Sequence, residues 1–98
     1  MSGGHFGGQQ YIINQIADEI NQIIRSNDDT SLNRWGDRIG RGYSEDTINK
    51  FKEAIELLNK SAIYAQRIDW LLSDDDSEET FHKRLKEDLT RYEITGEL

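Results

Sequence analysis

The stretch from residue 44 to residue 73 has the apolar spacing of one long α-helix, which constrains the fold more than any other feature. Two series of apolar residues recur every seven positions: Phe51, Leu58, Ala65 and Leu72 in one, and Ile48, Ile55 and Ala62 in the other. This spacing is typical of a helix that packs against antiparallel neighbours or a second copy. A helix of about 30 residues spans about 45 Å. That is longer than a globule of this mass needs, so we expect self-association to cover it.

Two shorter helices are predicted, one on each side of the long helix. Residues 9–26 place isoleucine and alanine at three- and four-residue steps, which indicates one buried helical face. Residues 78–92 show the same periodicity with aromatic and leucine side chains. The predicted fold class is therefore all-α. We expect a small helical hairpin or three-helix bundle, oligomeric, with one long central helix and a single domain over residues 1–98.

Capping residues indicate where these helices begin. Ser44 precedes two acidic residues and is the expected N-cap of the long helix. The last helix has three candidate starts: an Asp76–Glu79 capping box, Ser73 and Ser77. The chain between the long helix and the last helix is thus predicted to turn within residues 73–77.

Two segments lack helical periodicity. Residues 1–8 form a glycine-rich arm, which is either a frayed end or a loop that brings backbone N–H groups close to a ligand. Residues 27–43 form an irregular loop rich in arginine and aromatic residues, and loops of this length are usually functional or disordered. A short helical turn around residues 32–39 is possible because Leu32, Trp35 and Ile39 would share a face.

Composition excludes several classes of function. The chain has no cysteine, which removes thiolate metal sites, disulfides and cysteine nucleophiles. The longest apolar run is four residues, too short for a membrane span or signal peptide. The acidic run 74–79 fails as an EF-hand because its sixth and twelfth positions do not match. No catalytic motif is present. We therefore expect no enzymatic activity, no metal and no cofactor.

The candidate ligand-binding residues combine arginines with aromatic side chains from the arm and the loop. Guanidinium groups bind phosphates with paired hydrogen bonds, and aromatic rings stack on bases. The candidates are His5, Phe6, Tyr11, Arg34, Trp35, Arg38, Arg41 and Tyr43. A purely structural interpretation remains open, in which Trp35 plugs one end of the bundle and the arginines pair with nearby aspartates.

A second candidate surface is acidic. The formal net charge is −7, and residues 69–79 carry six acids and no base, so most of the charge lies in one corner. The candidate partner-binding residues there are Asp69, Asp74, Asp75, Asp76, Glu78 and Glu79. Such a corner would dock on a basic protein or imitate nucleic-acid phosphates. It also has a simpler interpretation, because acids stabilise the start of a helix.

Two stretches of the sequence carry a resemblance. The first has the pattern SGG-x-F followed by QY and IADEI, at Ser2, Gly3, Gly4, Phe6, Gln10, Tyr11, Ile16, Ala17, Asp18, Glu19 and Ile20. The second is the stretch RIDWLLSDDDSEETFHKRL, whose matching residues are Ser73, Asp75, Asp76, Glu78, Glu79 and Phe81, with Asp74 and Ser77 where glycines are expected. Both resemble a group of small helical proteins encoded by phages and prophages. The resemblance implies a phage or prophage origin and the cytoplasm of an infected host cell.

These observations favour a binding protein. The first hypothesis is a phage-type counter-defence protein that sequesters a small anionic, nucleotide-derived immune signal, as a sponge does. The alternative is an acidic inhibitor that binds a host defence protein through residues 69–79. A structural or regulatory oligomer without a small ligand is a third interpretation. Membrane partners are not expected, and nucleic acid is disfavoured because the long helices lack a basic face.

Overall fold

A computed structural model describes residues 5–96 as three α-helices. Helix α1 is Gln10–Ser26, α2 is Glu45–Leu72 and α3 is Glu78–Thr95. The only pairing of β type among residues 5–96 is an isolated bridge between Leu32 and Arg38. The all-helical prediction and the long central helix are thereby confirmed. None of the helices in this range combines the length and hydropathy that a bilayer span requires.

Two serines begin the second and third helices. Ser44 lies just before α2 and its hydroxyl accepts the Thr47 backbone N–H at 3.4 Å. Ser77 does the same for α3, accepting the Thr80 N–H at 3.1 Å. Of the three candidate starts for the last helix, Ser77 is therefore the one used, because its extended backbone lets its hydroxyl accept one of the first unpaired N–H groups of the helix.

Helices α1 and α2 form an antiparallel hairpin. Gln10 at the start of α1 donates to Gln66 and Asp69 near the end of α2. At the other end, Asn27 follows α1 and bonds Tyr43 just before α2. Helix α3 packs on a different side of α2, and within residues 5–96 it does not pack against α1. The closed three-helix bundle is therefore wrong and the hairpin alternative is right, with α2 standing between the two shorter helices.

The hydrophobic core is small. The buried apolar residues within residues 5–96 are Ala17, Ala62, Ile63 and Tyr92. The molecule measures 54 × 27 × 17 Å and its radius of gyration is 17.4 Å. A compact chain of this length has a radius of gyration near 13 Å. The single chain is therefore a rod rather than a globule.

The loop over residues 27–43 is pinned at both ends and has no helical turn. Asn27 is buried; its side-chain oxygen accepts the Tyr43 N–H at 2.8 Å and its amide donates to the Tyr43 carbonyl at 3.0 Å. The expected turn around residues 32–39 is wrong. The Asn33 side chain accepts the N–H groups of Trp35 and Asp37 at 2.9 and 3.0 Å, and these bonds compete with a helix.

Candidate ligand-binding cleft

A cleft opens where α1 and α3 diverge on the surface of α2. Its cavity volume is about 320 Å³, within the lower range of small-molecule sites. All three helices line it: Gln10, Tyr11 and Asn14 from α1, Ala62, Ile63, Gln66, Arg67 and Trp70 from α2, and Asp88 and Arg91 from α3. The cleft exists because α1 and α3 both pack on α2 without closing on each other.

Two of the α1 residues that line the cleft each have a buried side-chain oxygen without a hydrogen-bond partner. Gln10 is 4% exposed, and its Nε2 donates to Gln66 Oε1 at 2.9 Å and to Asp69 Oδ2 at 3.1 Å. Its Oε1 is buried and has no hydrogen-bond partner within residues 5–96, and the same is true of Asn14 Oδ1. Buried polar atoms in proteins are nearly always paired. The other buried side-chain atoms without a hydrogen-bond partner in the described residues are Arg67 Nη1 and Asp76 Oδ2.

The opposite side of the cleft carries two guanidinium groups and an indole. Arg67 Nε donates to Asp88 Oδ2 at 2.6 Å, and its guanidinium lies 4.6 Å from the centre of the Trp70 ring. Arg91 is largely exposed at the rim, with a longer contact of 3.7 Å to Asp88. Arg67 is thus held in place by α3, whereas Arg91 is available to an anion entering the cleft.

Residues 5–9 are attached to the end of α2 beside the cleft. The Phe6 N–H donates to Asp69 Oδ1 at 2.9 Å, and the His5 N–H donates to the Ser73 hydroxyl at 3.2 Å. Asp69 is 0% exposed and accepts at both carboxylate oxygens. Residues 1–4 of the predicted arm lie outside the described residues.

The eight sequence-predicted ligand residues fall into two separate groups. His5, Phe6 and Tyr11 lie at the end of α2, and only Tyr11 lines the cleft. The remaining five, Arg34, Trp35, Arg38, Arg41 and Tyr43, belong to the loop at the far end of the hairpin, about 25 Å away along α1. A single pocket formed by the arm and the loop of one chain is therefore wrong, because the antiparallel hairpin separates them.

The loop residues are engaged mainly with one another. Arg34 stacks on Trp35 at 4.3 Å, and Trp35 remains 70% exposed. Arg38 Nε donates to the Asp29 carbonyl at 3.3 Å. The pKa of Asp29 is lowered, first by hydrogen bonds from Ser31 and then by the Arg38 charge. None of the five predicted loop residues lines the cleft, so their role in binding stays a prediction.

The acidic corner is smaller than the sequence implied. Asp69 faces inward, and the Asp76 side chain is only 8% exposed, 3.9 Å from Arg67. Four acids remain on the surface: Asp74, Asp75, Glu78 and Glu79. A six-residue partner-binding face is therefore wrong, since hydrogen bonding and charge pairing draw two of its members into the protein.

Sequence reasoning missed most of the cleft. Gln10, Asn14, Gln66, Arg67, Trp70, Asp88 and Arg91 were not among the predicted site residues. One signal was present, because Gln10 and Asn14 stand one turn apart on the same side of a strongly amphipathic helix. Comparison with protein-family models, curated proteins and solved structures found no match to this chain.

Proposed function

We propose that this chain is a non-enzymatic binding protein that sequesters a nucleotide-derived immune signal in the cleft, acting for a phage against host defence. The observation that carries the proposal is the pair of buried, unpartnered oxygens of Gln10 and Asn14 beside the cavity. A nucleobase supplies N–H donors for such acceptors. The phage setting rests on the resemblance of the sequence.

The other cleft side chains match the remaining parts of a nucleotide. Tyr11 and Trp70 offer aromatic faces on which a base stacks. Arg91 is 61% exposed along its side chain and offers a guanidinium for a phosphate. The cavity therefore contains a base-reading side on α1 and an anion-binding side on α3.

Self-association belongs to the same proposal, with a second copy of this chain as the occupant of the uncovered surface. The chain exposes 7236 Å², against about 5,800 Å² expected for a folded monomer of this mass. The excess exceeds the roughly 800 Å² that each partner buries in a standard interface. Leu57 and Tyr64, seven residues apart on one face of α2, are 66% and 44% exposed.

Isothermal titration calorimetry with AMP, cyclic di-AMP, cyclic di-GMP and ADP-ribose tests the cleft. We expect at least one to bind, and Arg91→Ala to weaken that binding about tenfold through loss of a charge-assisted hydrogen bond. The matched control is Arg84→Ala, an exposed arginine of α3 that does not line the cleft. Arg34→Ala and Arg41→Ala test the loop in the same way.

Three results contradict the cleft as the binding site. Failure of all four nucleotides to bind removes the proposed function. Binding that is weakened by Arg34→Ala or Arg41→Ala but unchanged by Arg91→Ala moves the site to the loop. Salt-sensitive capture of a host protein, lost on neutralising Asp74 and Asp75, would instead favour the acidic inhibitor.

A further inference from the structure

The orientation of the Gln10 side-chain amide is determined by its neighbours. Its nitrogen lies 2.9 Å from Gln66 Oε1 and 3.1 Å from Asp69 Oδ2. Rotating the amide by a half-turn would place its oxygen against these two acceptors. The observed orientation therefore leaves the Gln10 oxygen, and not its nitrogen, as the atom without a partner beside the cavity.

Asp69 is the group that decides between the two orientations. Gln66 is itself an amide and can turn to present either an acceptor or a donor, whereas a carboxylate only accepts. Asp69 cannot turn away, because its second oxygen accepts the Phe6 backbone N–H at 2.9 Å and the side chain is wholly buried. Burying a carboxylate is costly. The buried Asp69 carboxylate lies where it fixes the orientation of Gln10, a residue that lines the cleft.

We propose that Asp69 is a positioning residue that holds the Gln10 oxygen toward the cleft, so that the site selects a ligand with an N–H donor there. This inference rests on the proposed function, in which the cleft binds a nucleotide. The exocyclic amine of adenine satisfies the requirement. Hypoxanthine has a carbonyl oxygen at the same place. That oxygen would face the Gln10 oxygen, so two acceptors would meet without a hydrogen between them.

The substitution Asp69→Asn should invert this preference with almost no change of shape. The backbone N–H of Phe6 is a fixed donor, so the oxygen of the substituted side-chain amide must face it. The nitrogen of that amide then faces Gln10, whose own amide turns over to accept, and Gln66 turns with it. The Gln10 nitrogen now faces the cleft and offers a donor in place of an acceptor.

The experiment measures binding of AMP and IMP, and of cyclic di-AMP and cyclic di-IMP, to the full chain and its variants. The wild type should prefer the adenine form roughly tenfold, the effect of leaving a buried polar group unpaired. Asp69→Asn should lose or reverse that ratio. Ser73→Ala is the control, since it releases the His5 N–H while leaving Asp69 and Gln10 in place.

A second measurement needs no ligand. In the wild-type side-chain amide spectrum, both Gln10 Nε2 protons should exchange slowly because each is hydrogen bonded, and Asp69→Asn should make them exchange fast. If Asp69→Asn does not fold, Gln10→Met, which removes the amide at similar volume, should still abolish the adenine preference.

The outcomes separate this inference from the proposed function. An adenine preference that persists in Asp69→Asn or Gln10→Met overturns the inference while the cleft remains a nucleotide site. Rapid exchange of the Gln10 amide protons in the wild type also overturns it. Failure of the wild type to bind any of these four probes overturns the inference, whereas the proposed function falls only if cyclic di-GMP and ADP-ribose also fail to bind.

Discussion

Gly40 is the residue on which the shape of the 27–43 loop depends most directly. It is buried, and a Cβ at this position would lie closer than 3.0 Å to the backbone oxygens of Ser26, Asn27 and Asp29. The Gly40 N–H also donates to the Asp29 carbonyl at 2.9 Å. Backbone atoms cannot move aside as a flexible side chain can, so only glycine allows the loop to return against the end of α1.

Gly40→Ala should destabilise the protein by about 2–3 kcal/mol through overpacking. Urea unfolding followed by helical circular dichroism measures this change. The control is Gly36→Asn, at a position with φ +84° and open space around it, where we expect a loss below about 1 kcal/mol. Equal losses in the two variants would show that the close approach of Gly40 is unimportant.

At the scale of the helices, α2 holds α3 through a small polar cluster as well as through apolar packing. Arg67 and Asp88 join the two helices, with side chains 13% and 19% exposed. Asn59 adds a hydrogen bond to the Tyr92 hydroxyl at 3.2 Å. Because this cluster is shielded from water, the loss of one partner leaves the other poorly solvated.

Asp88→Ala should therefore cost about 2–3 kcal/mol of unfolding free energy. The double variant Arg67→Met/Asp88→Leu should cost less than the sum of its two single changes, because each single change already breaks the Arg67–Asp88 pair. The loss of Arg67 also removes the cation beside Asp76, in the single and the double variant alike. The control is Glu53→Ala, which removes an exposed ion pair with Lys50 and should change stability by less than about 0.5 kcal/mol. Strictly additive single changes would mean that the Arg67–Asp88 pair is not coupled.

At the scale of the whole molecule, the accessible surface is large relative to the hydrophobic core. A rod 54 Å long with four buried apolar residues in its described part exposes more surface than a compact domain of the same mass. The exposed side of α2 includes Leu57 and Tyr64. Burying such side chains against a second copy contributes about 25 cal/mol per Å² of apolar area.

We expect the wild type to self-associate at micromolar concentration and the double variant Leu57→Glu/Tyr64→Glu to shift toward monomer. Size-exclusion chromatography with light scattering gives the mass directly. Lys52→Glu is the matched control, since it adds negative charge to another exposed position of α2. A strictly monomeric wild type would contradict the proposed assembly.

Much of the fold was predictable because it follows from short-range patterns. The periodicity of residues 44–73, with Ser44 and two acids at their start, located α2 almost to the residue. The cleft was not predictable in the same way. It brings together residues such as Gln10, Arg67 and Asp88, and their meeting depends on the packing of three helices.

Asp69 shows most clearly which properties the sequence determines by itself and which depend on the tertiary structure. By itself the sequence determined three helices, one of them long, and an acidic run at the end of that helix, because helix formation depends on spacings of three, four and seven residues. Only the tertiary structure decided that Asp69 leaves the acidic surface and becomes wholly buried. The reason is that its hydrogen-bond partners, Phe6 and Gln10, lie 63 and 59 residues away along the chain. The hairpin brings them to it.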